Sequence, residues 1–218
     1  MGKESLCPFV LVISKKYNKL SVFLYLKELF MLPTFFHRFN LFTTAEIATI
    51  LALFQPRSLS KHSFLIREGD YCEEVAFVES GLFRSFYTTD TGNELTYCFR
   101  FPNDLIGAYS AFITQGKSVE NIQAIEPAVL WVIQKKDLDF LANQLPQWTV
   151  FLKVIAEQQY LELEQRVMQL QRESAQQRYK NLVLHHPNFI QSIPLHYLAS
   201  YLGITQRHLS RIRKEITF

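Results

Sequence analysis

The spacing of apolar residues divides the chain into successive regimes. Between Thr43 and Phe54 it is helical: Ile47, Ile50, Leu51 and Phe54 fall on one side, Thr43 stands as cap with Glu46 at the third position, and Pro56 ends the run. From about Ser58 to Ile133 the period falls towards two. Six strand candidates follow one another there: Ser63–Arg67, Glu74–Glu79, Gly81–Thr88, Glu94–Phe101, Val119–Ala124 and Ala128–Gln134. Gly69-Asp70, Ser80-Gly81, Asp90–Asn93, Pro102–Asp104 and Glu126-Pro127 mark the turns, and short strands so spaced predict a sandwich or barrel. Lys136–Leu145 then reads as a short helix closing the barrel. Beyond Pro146 no Pro or Gly interrupts the chain, which predicts one long helix from near Trp148 to about His185.

Two apolar stripes run along that helix. Ala156, Tyr160, Leu163, Val167, Leu170 and Ser174 alternate in steps of four and three, the seam of a coiled coil, while Val154, Leu161 and Met168 lie to one side. A single amphipathic helix packed on its own barrel would need one stripe. Two stripes call for two partners, one of them the same helix of a second copy.

The segment from Ile193 to Ile216 reads as two short helices around a glycine. Leu195, Leu198, Ala199 and Leu202 line the buried face of the first, Gly203 supplies the left-handed residue of the turn, and Thr205 caps the second. In the second, Leu209 and Ile212 point inward, while Gln206, Arg207, His208, Ser210, Arg211 and Lys214 face out. Such a face suits the major groove of DNA, where Arg and Gln each make two hydrogen bonds to a purine edge. An ordinary helical hairpin with a solvated basic face would give nearly the same pattern. Charge separates the two: from Arg172 onward seven cations (Arg172, Arg178, Lys180, Arg207, Arg211, Arg213, Lys214) face only Glu173 and Glu215, although the whole chain carries +3. The remainder is therefore acidic, and concentration of cations at one end is the footprint of a nucleic-acid module.

With 218 residues and 48% hydrophobic content, the chain can bury one large or two small cores. Cys7, Cys72 and Cys98 are scattered, with no metal-ligand spacing, which predicts neither zinc nor a disulfide framework and a reducing, cytoplasmic location. Nothing reaches the roughly 20 apolar residues of a membrane span. Lys3 and the run Leu6–Ile13 faintly resemble a signal peptide without a cleavage site, and Met31 reads as an alternative natural start.

The IREGD turn (Ile66–Asp70), the ESGLFRSFY hairpin (Glu79–Tyr87), a long helix and the terminal YLGITQRHLSRIRK, in that order, resemble the Crp/Fnr family of bacterial transcription regulators. The resemblance implies an α+β fold: an N-terminal double-stranded β-roll (cyclic-nucleotide-binding-like), a long dimerisation helix and a C-terminal helix-turn-helix. It divides the chain into an N-terminal extension (1–42), a sensory domain (43–145), a dimerisation helix (146–177) and a DNA-binding domain (178–218). It implies a homodimer on an inverted-repeat operator in double-stranded DNA, with RNA polymerase as a partner and no membrane. Gln206, Arg207 and Arg211 fall where the family places base-reading side chains, and Thr205, His208, Ser210, Arg213 and Lys214 where phosphates are contacted. Arg207 departs from a Glu common at its position, so the operators of relatives do not carry over.

In family members that bind cyclic AMP, a Gly-Glu pair opens a short helix and an Arg-Ser pair follows about ten residues later. Here Gly107 is present, but Ala108 replaces the Glu, and Ser118 and Val119 replace Arg-Ser; Lys117 is the one neighbouring cation. A cyclic phosphate needs a cation with N–H and O–H donors, so these changes predict against cyclic AMP, and no cofactor is expected. Three cysteines cannot supply a four-thiolate iron–sulfur cluster, and His37 and His62 are lone candidates for a haem ligand. Cys72 and Cys98 read as structural thiols, or as a redox pair if the fold joins them. Among enzyme signatures, Glu73-Glu74 and Asp137/Asp139 are carboxylate pairs in strand or helix-terminal settings, and no GxSxG, P-loop or HExxH occurs, so a non-enzyme is expected. The competing functional reading is a protein-interaction scaffold with only weak, non-specific DNA affinity.

Overall fold

The structure, a computed structural model, describes residues 31–216; the expectations for residues 1–30 lie outside the described residues. Within the segment read as an extension, residues 31–37 form helix α1 (Met31–His37). Its Leu32, Phe35 and Phe36, with Phe42, are buried in one aromatic cluster with Phe54, Phe77, Trp131, Trp148 and Phe151. Seven residues show too little periodicity to announce a helix, and tertiary contact fixes this one.

Helix α2 (Thr44–Leu51) carries the expected reciprocal cap: Thr43 N donates to Glu46 Oε2 at 2.7 Å and Glu46 N to Thr43 Oγ1 at 3.3 Å. It stops short of Phe54. Strand β1 (Gln55–Leu59), which sequence patterning missed, begins almost at once and takes in Pro56. Proline is tolerated there because β1 is an edge strand.

The six strands read from the sequence are all present as β2 (Phe64–Ile66), β3 (Glu74–Ser80), β4 (Phe83–Thr88), β5 (Glu94–Arg100), β7 (Asn121–Ala124) and β8 (Ala128–Gln134), joined by a two-residue β6 (Leu105–Ile106) and a short α3 (Tyr109–Thr114). They form two four-stranded sheets, ordered β1-β8-β3-β6 and β2-β7-β4-β5, with antiparallel pairing between neighbours. This is the expected β-roll. Ile66, Ala76, Val78, Phe83, Ile122, Leu130 and Val132 fill the space between the sheets.

Both sheets are also covered on the outside, which explains why β8 reads as an unbroken apolar run. Leu130 and Val132 face the inner core, whereas Trp131 and Ile133 face the aromatic cluster under the helices. Helix α4 (Lys135–Gln144) leads into α5 (Pro146–Arg172), whose 27 residues extend about 40 Å at 1.5 Å per residue. No helix among the described residues is long and apolar enough to cross a membrane.

The long helix does not run on to His185. It ends at Arg172, Glu173 is extended, and the Ser174 hydroxyl accepts from Gln177 N at 3.2 Å to cap α6 (Ala175–His185). A serine that can satisfy a free helix N–H competes effectively with continuation of the helix. Helices α7 (Pro187–Ser192), α8 (Leu195–Tyr201) and α9 (Gln206–Glu215) complete the chain.

Two turn glycines separate conformational need from steric need. Gly81 (φ +95°) and Gly92 (φ +80°) are both left-handed, but a Cβ on Gly81 would lie 2.5 Å from Ala128 Cβ, while one on Gly92 meets nothing within 4 Å. Gly92→Ala should cost about 1–2 kcal/mol for backbone conformation alone. Gly81→Ala should cost clearly more in urea unfolding; equal losses would refute the steric contribution.

Candidate nucleic-acid interface

The C-terminal pair of helices folds as its residues predict. Leu198, Ala199, Leu202, Leu209 and Ile212 are buried, Leu195 is half-buried, and Gly203 takes φ +69°. Ile204 N donates to Ala199 O and Gly203 N to Ser200 O, each at 3.0 Å, so the turn closes on the carbonyls of α8. Thr205 caps α9, accepting from His208 N at 3.2 Å, and Leu209 N donates to Thr205 O. The hydrogen bonds within α9 leave the amides of Gln206 and Arg207 unused at its positive end.

Gln206, Arg207, His208, Arg211, Arg213 and Lys214 are exposed together on this helix, and Arg207 and Arg211 are four residues apart on one face. Ser210 is half-buried, its hydroxyl donating to Gln206 O at 3.0 Å.

Arg178, counted from sequence among the cations of the basic end, serves the turn instead. Its guanidinium donates to Leu202 O at 2.9 Å and to Glu173 O. Arg166, which sequence reasoning missed, reaches from α5 to donate to Tyr201 O, with Cζ 3.8 Å from the Tyr201 ring centroid. Burial pushes Arg166 below the ordinary guanidinium pKa, with Arg178 adding to the effect and Tyr201 opposing it. No sequence pattern signals these contacts, because the acceptors are distant backbone carbonyls.

The first reader helix is also docked on its own roll. Ser200 Oγ accepts from Thr96 N and donates to Glu94 O, both at 2.9 Å, occupying backbone groups of the edge strand β5. Arg84, only 3% exposed, donates twice to Gln123 Oε1, pairs with Glu94 at 2.6 Å and lies 3.9 Å from the Tyr197 ring centroid. Beside it Phe101 stacks on Phe189, while Phe99 meets Phe189 edge-on and Tyr201 at a tilt.

On α5, Ala156 is exposed, as are Tyr160 (63%), Leu163 (59%), Val167 and Leu170. Ser174 leaves this seam, since it caps α6. The second stripe does not pack on the barrel: Val154 is half-buried, but Leu161 and Met168 are exposed. The body-facing side is Trp148, Phe151 and Ile155, continued by polar residues, with Arg100 donating to Glu162 at 3.1 Å and to Gln159.

Ala108 is buried at the start of α3, Lys117 is exposed and pairs through its backbone with Tyr71, and Val119 is 71% exposed. The buried Ser118 hydroxyl is turned to Glu120 O at 2.8 Å. Beside it the buried Glu120 carboxylate accepts from Tyr97 OH, and burial holds its pKa above the usual range against the hydrogen bonds of Tyr97 and Ser85. An open cavity of about 390 Å³ next to Gly107 and Ala108 is lined by Asp70, Glu73 and Glu74, without a lining cation. Glu74 itself is paired with Arg57 and Gln134.

Cys72 and Cys98 are free thiols, and burial raises both, Cys98 to about 11, so neither is an activated nucleophile. His37 and His62 are exposed, and no group of His, Cys, Asp and Glu suited to a metal occurs among the described residues.

The Cyclic nucleotide-binding domain family matches residues 56–144. The transcriptional activator protein Anr of Pseudomonas protegens is 30% identical over 160 residues, covering 73% of this chain and 62% of that protein, so the chain spans less than two thirds of this curated relative. Among solved structures, FixK2 from Bradyrhizobium japonicum superposes with TM-score 0.65 at 19% identity, covering 74% of this chain and 83% of that one. A Eubacterium rectale protein described as a Crp/Fnr-family regulator gives 0.64 at 18%, covering 84% and 87%. With a roll, a long helix and a terminal helix-turn-helix in the same order, the chain shares the fold of these solved structures and is similar to regulators of the Crp/Fnr family.

Proposed function

We propose that the chain is a sequence-specific DNA-binding transcription regulator acting as a homodimer on an inverted repeat, and that cyclic AMP is not its effector. The observation that carries the DNA reading is the exposed set Gln206, Arg207 and Arg211 at the start of a capped helix whose opposite face is buried. Thr205, His208, Ser210, Arg213 and Lys214 surround them as phosphate contacts. Anr, a transcriptional activator by name, is consistent with this, and RNA polymerase is the partner such a role requires.

Dimerisation rests on α5. Large apolar side chains at Tyr160, Leu163, Val167 and Leu170 stay in water at heptad spacing, and a matching helix is the surface that would bury them. The cassette reading rests on sign: acids line the cavity, Glu120 is buried beside Val119, and Ser118 is already engaged. With Glu74 already paired to Arg57, a cyclic phosphate there would meet Asp70 and Glu73 and no lining cation.

Three measurements test these statements. Selection from random DNA should enrich an inverted repeat, and Arg207→Ala and Arg211→Ala should each weaken binding to it by ~1–3 kcal/mol while sparing random DNA. Equal losses on both would make them phosphate contacts, and absence of any enriched site would favour the weakly binding scaffold. Leu163→Glu should convert dimer to monomer in sedimentation, with the roll still folded by circular dichroism; an unchanged mass would refute the seam. Cyclic AMP should leave the melting temperature and operator affinity unaltered, since a ligand that binds the folded state would raise stability; a saturable rise would overturn the cassette reading.

A further inference from the structure

The covalent path from the seam helix to the reader is indirect. After Arg172 the chain leaves α5 through extended residues, then passes through α6 and α7 before entering α8. Such a path does not by itself fix where α9 lies relative to a dimer axis running along α5. DNA demands that it be fixed, because each base pair adds about 3.4 Å of rise and roughly 35° of rotation between half-sites.

Two guanidiniums shorten the path. Arg166, adjacent in sequence to the seam residue Val167, holds Tyr201 O and stacks on its ring. Arg178 holds the next carbonyl, Leu202 O, and joins it to Glu173 O, the C-cap of α5. Glu173 is itself held in place, its carboxylate accepting from Asn181 Nδ2 at 3.1 Å. These carbonyls immediately precede Gly203, whose left-handed conformation sets the direction of α9. The buried Nε atoms of both arginines lack a hydrogen-bond partner.

We propose that Arg166 and Arg178 form a positioning clamp that transmits the orientation of the seam helix to the recognition helix and thereby sets the half-site spacing the dimer accepts. The inference rests on the DNA-reading dimer proposed above. Arg166 acts through Tyr201 and touches no base. Its effect falls on spacing and leaves base preference within a half-site unchanged.

The test uses the full chain on inverted repeats whose spacer is changed one base pair at a time, together with a distance measurement that needs no DNA. Wild type should prefer one spacer. Arg166→Ala should lose about 10-fold affinity there and bind the neighbouring spacers almost equally, with Arg166→Lys in between because it keeps the charge but loses the planar stack. Spin labels on α5 and α9, in a background lacking the native cysteines, should give a narrow distance distribution in wild type and a broad one in Arg166→Ala at unchanged helicity. A uniform affinity loss with the spacer preference intact, or an unbroadened distribution, would overturn the clamp. Should wild type bind no specific sequence, the DNA reading falls, and the distance distribution alone decides whether the clamp exists.

Discussion

A roll of two short sheets has two outer faces and exposed strand edges, and neither can be left to water when both sheets carry apolar residues outward. Most of this structure follows from how those faces are covered. Phe77, Trp131 and Ile133 require the N-terminal helices and the start of α5, so Leu32, Phe35, Phe36, Trp148 and Phe151 collect over them. Leu82, Phe99 and Ile125 require a cover on the other side, and the reader supplies it with Leu198, Ala199 and Leu202 close by in the same cluster. The C-terminal helical unit is thus also the lid of the second sheet. Ser200 completes the arrangement by engaging Thr96 N and Glu94 O of the edge strand β5.

The junction between roll and seam helix is polar where the rest is apolar. Arg100 reaches Glu162 and Gln159, and burial works against its charge, yet the Cys98 thiolate, formed in the alkaline range where a guanidinium titrates, and the acids Glu162 and Asp104 outweigh this and keep its pKa above the ordinary value. Burial raises Asp104 and Glu120. Glu162 is exposed and Arg100 is half-buried, so this junction joins α5 to β5 through a few directional contacts instead of a broad apolar seal. The apolar residues of α5 beyond Ile155 are consequently released to the opposite side, where Tyr160, Leu163, Val167 and Leu170 lie exposed. A polar inner face and an apolar outer face on one helix invert the usual surface pattern, and that inversion is the physical ground for a second chain.

Legibility from sequence followed the range of each interaction. The Thr43–Glu46 cap, the Gly203 turn and the Thr205 cap all act within a few residues, and each was readable from residue type and spacing. Ser174 was misread for the same local reason: its spacing fits a seam, but its hydroxyl is a better helix cap. The strand Gln55–Leu59 escaped notice because Pro56 argues for a break, and only the tertiary fact that β1 is an edge makes it compatible. Arg166, Arg84, Ser200 and Glu120 were invisible as a class. Their partners lie far away in sequence and are often backbone carbonyls, which carry no side-chain signature; Ser200, for example, pairs across more than a hundred residues with Thr96 and Glu94.

The reader's two helices are therefore held very differently. Helix α8 is fixed from three directions, by Arg166 from the seam helix, by Arg178 from α6 and by Ser200 and Tyr197 against the β4–β5 hairpin. Helix α9 is joined to it through Gly203 and the shared apolar residues Leu209 and Ile212, while the side chains of Gln206, Arg207, Arg211, Arg213 and Lys214 face solvent. Because α8 carries the restraints, α9 can give its exposed donors to a ligand without breaking any contact that orients it. A recognition helix whose own side chains were also its anchors would have to exchange one set of bonds for the other on binding, losing affinity in proportion. Separation of anchoring and exposed side chains between adjacent helices removes that conflict, and it makes the short Tyr201–Gly203 turn the point through which the orientation of α9 is set.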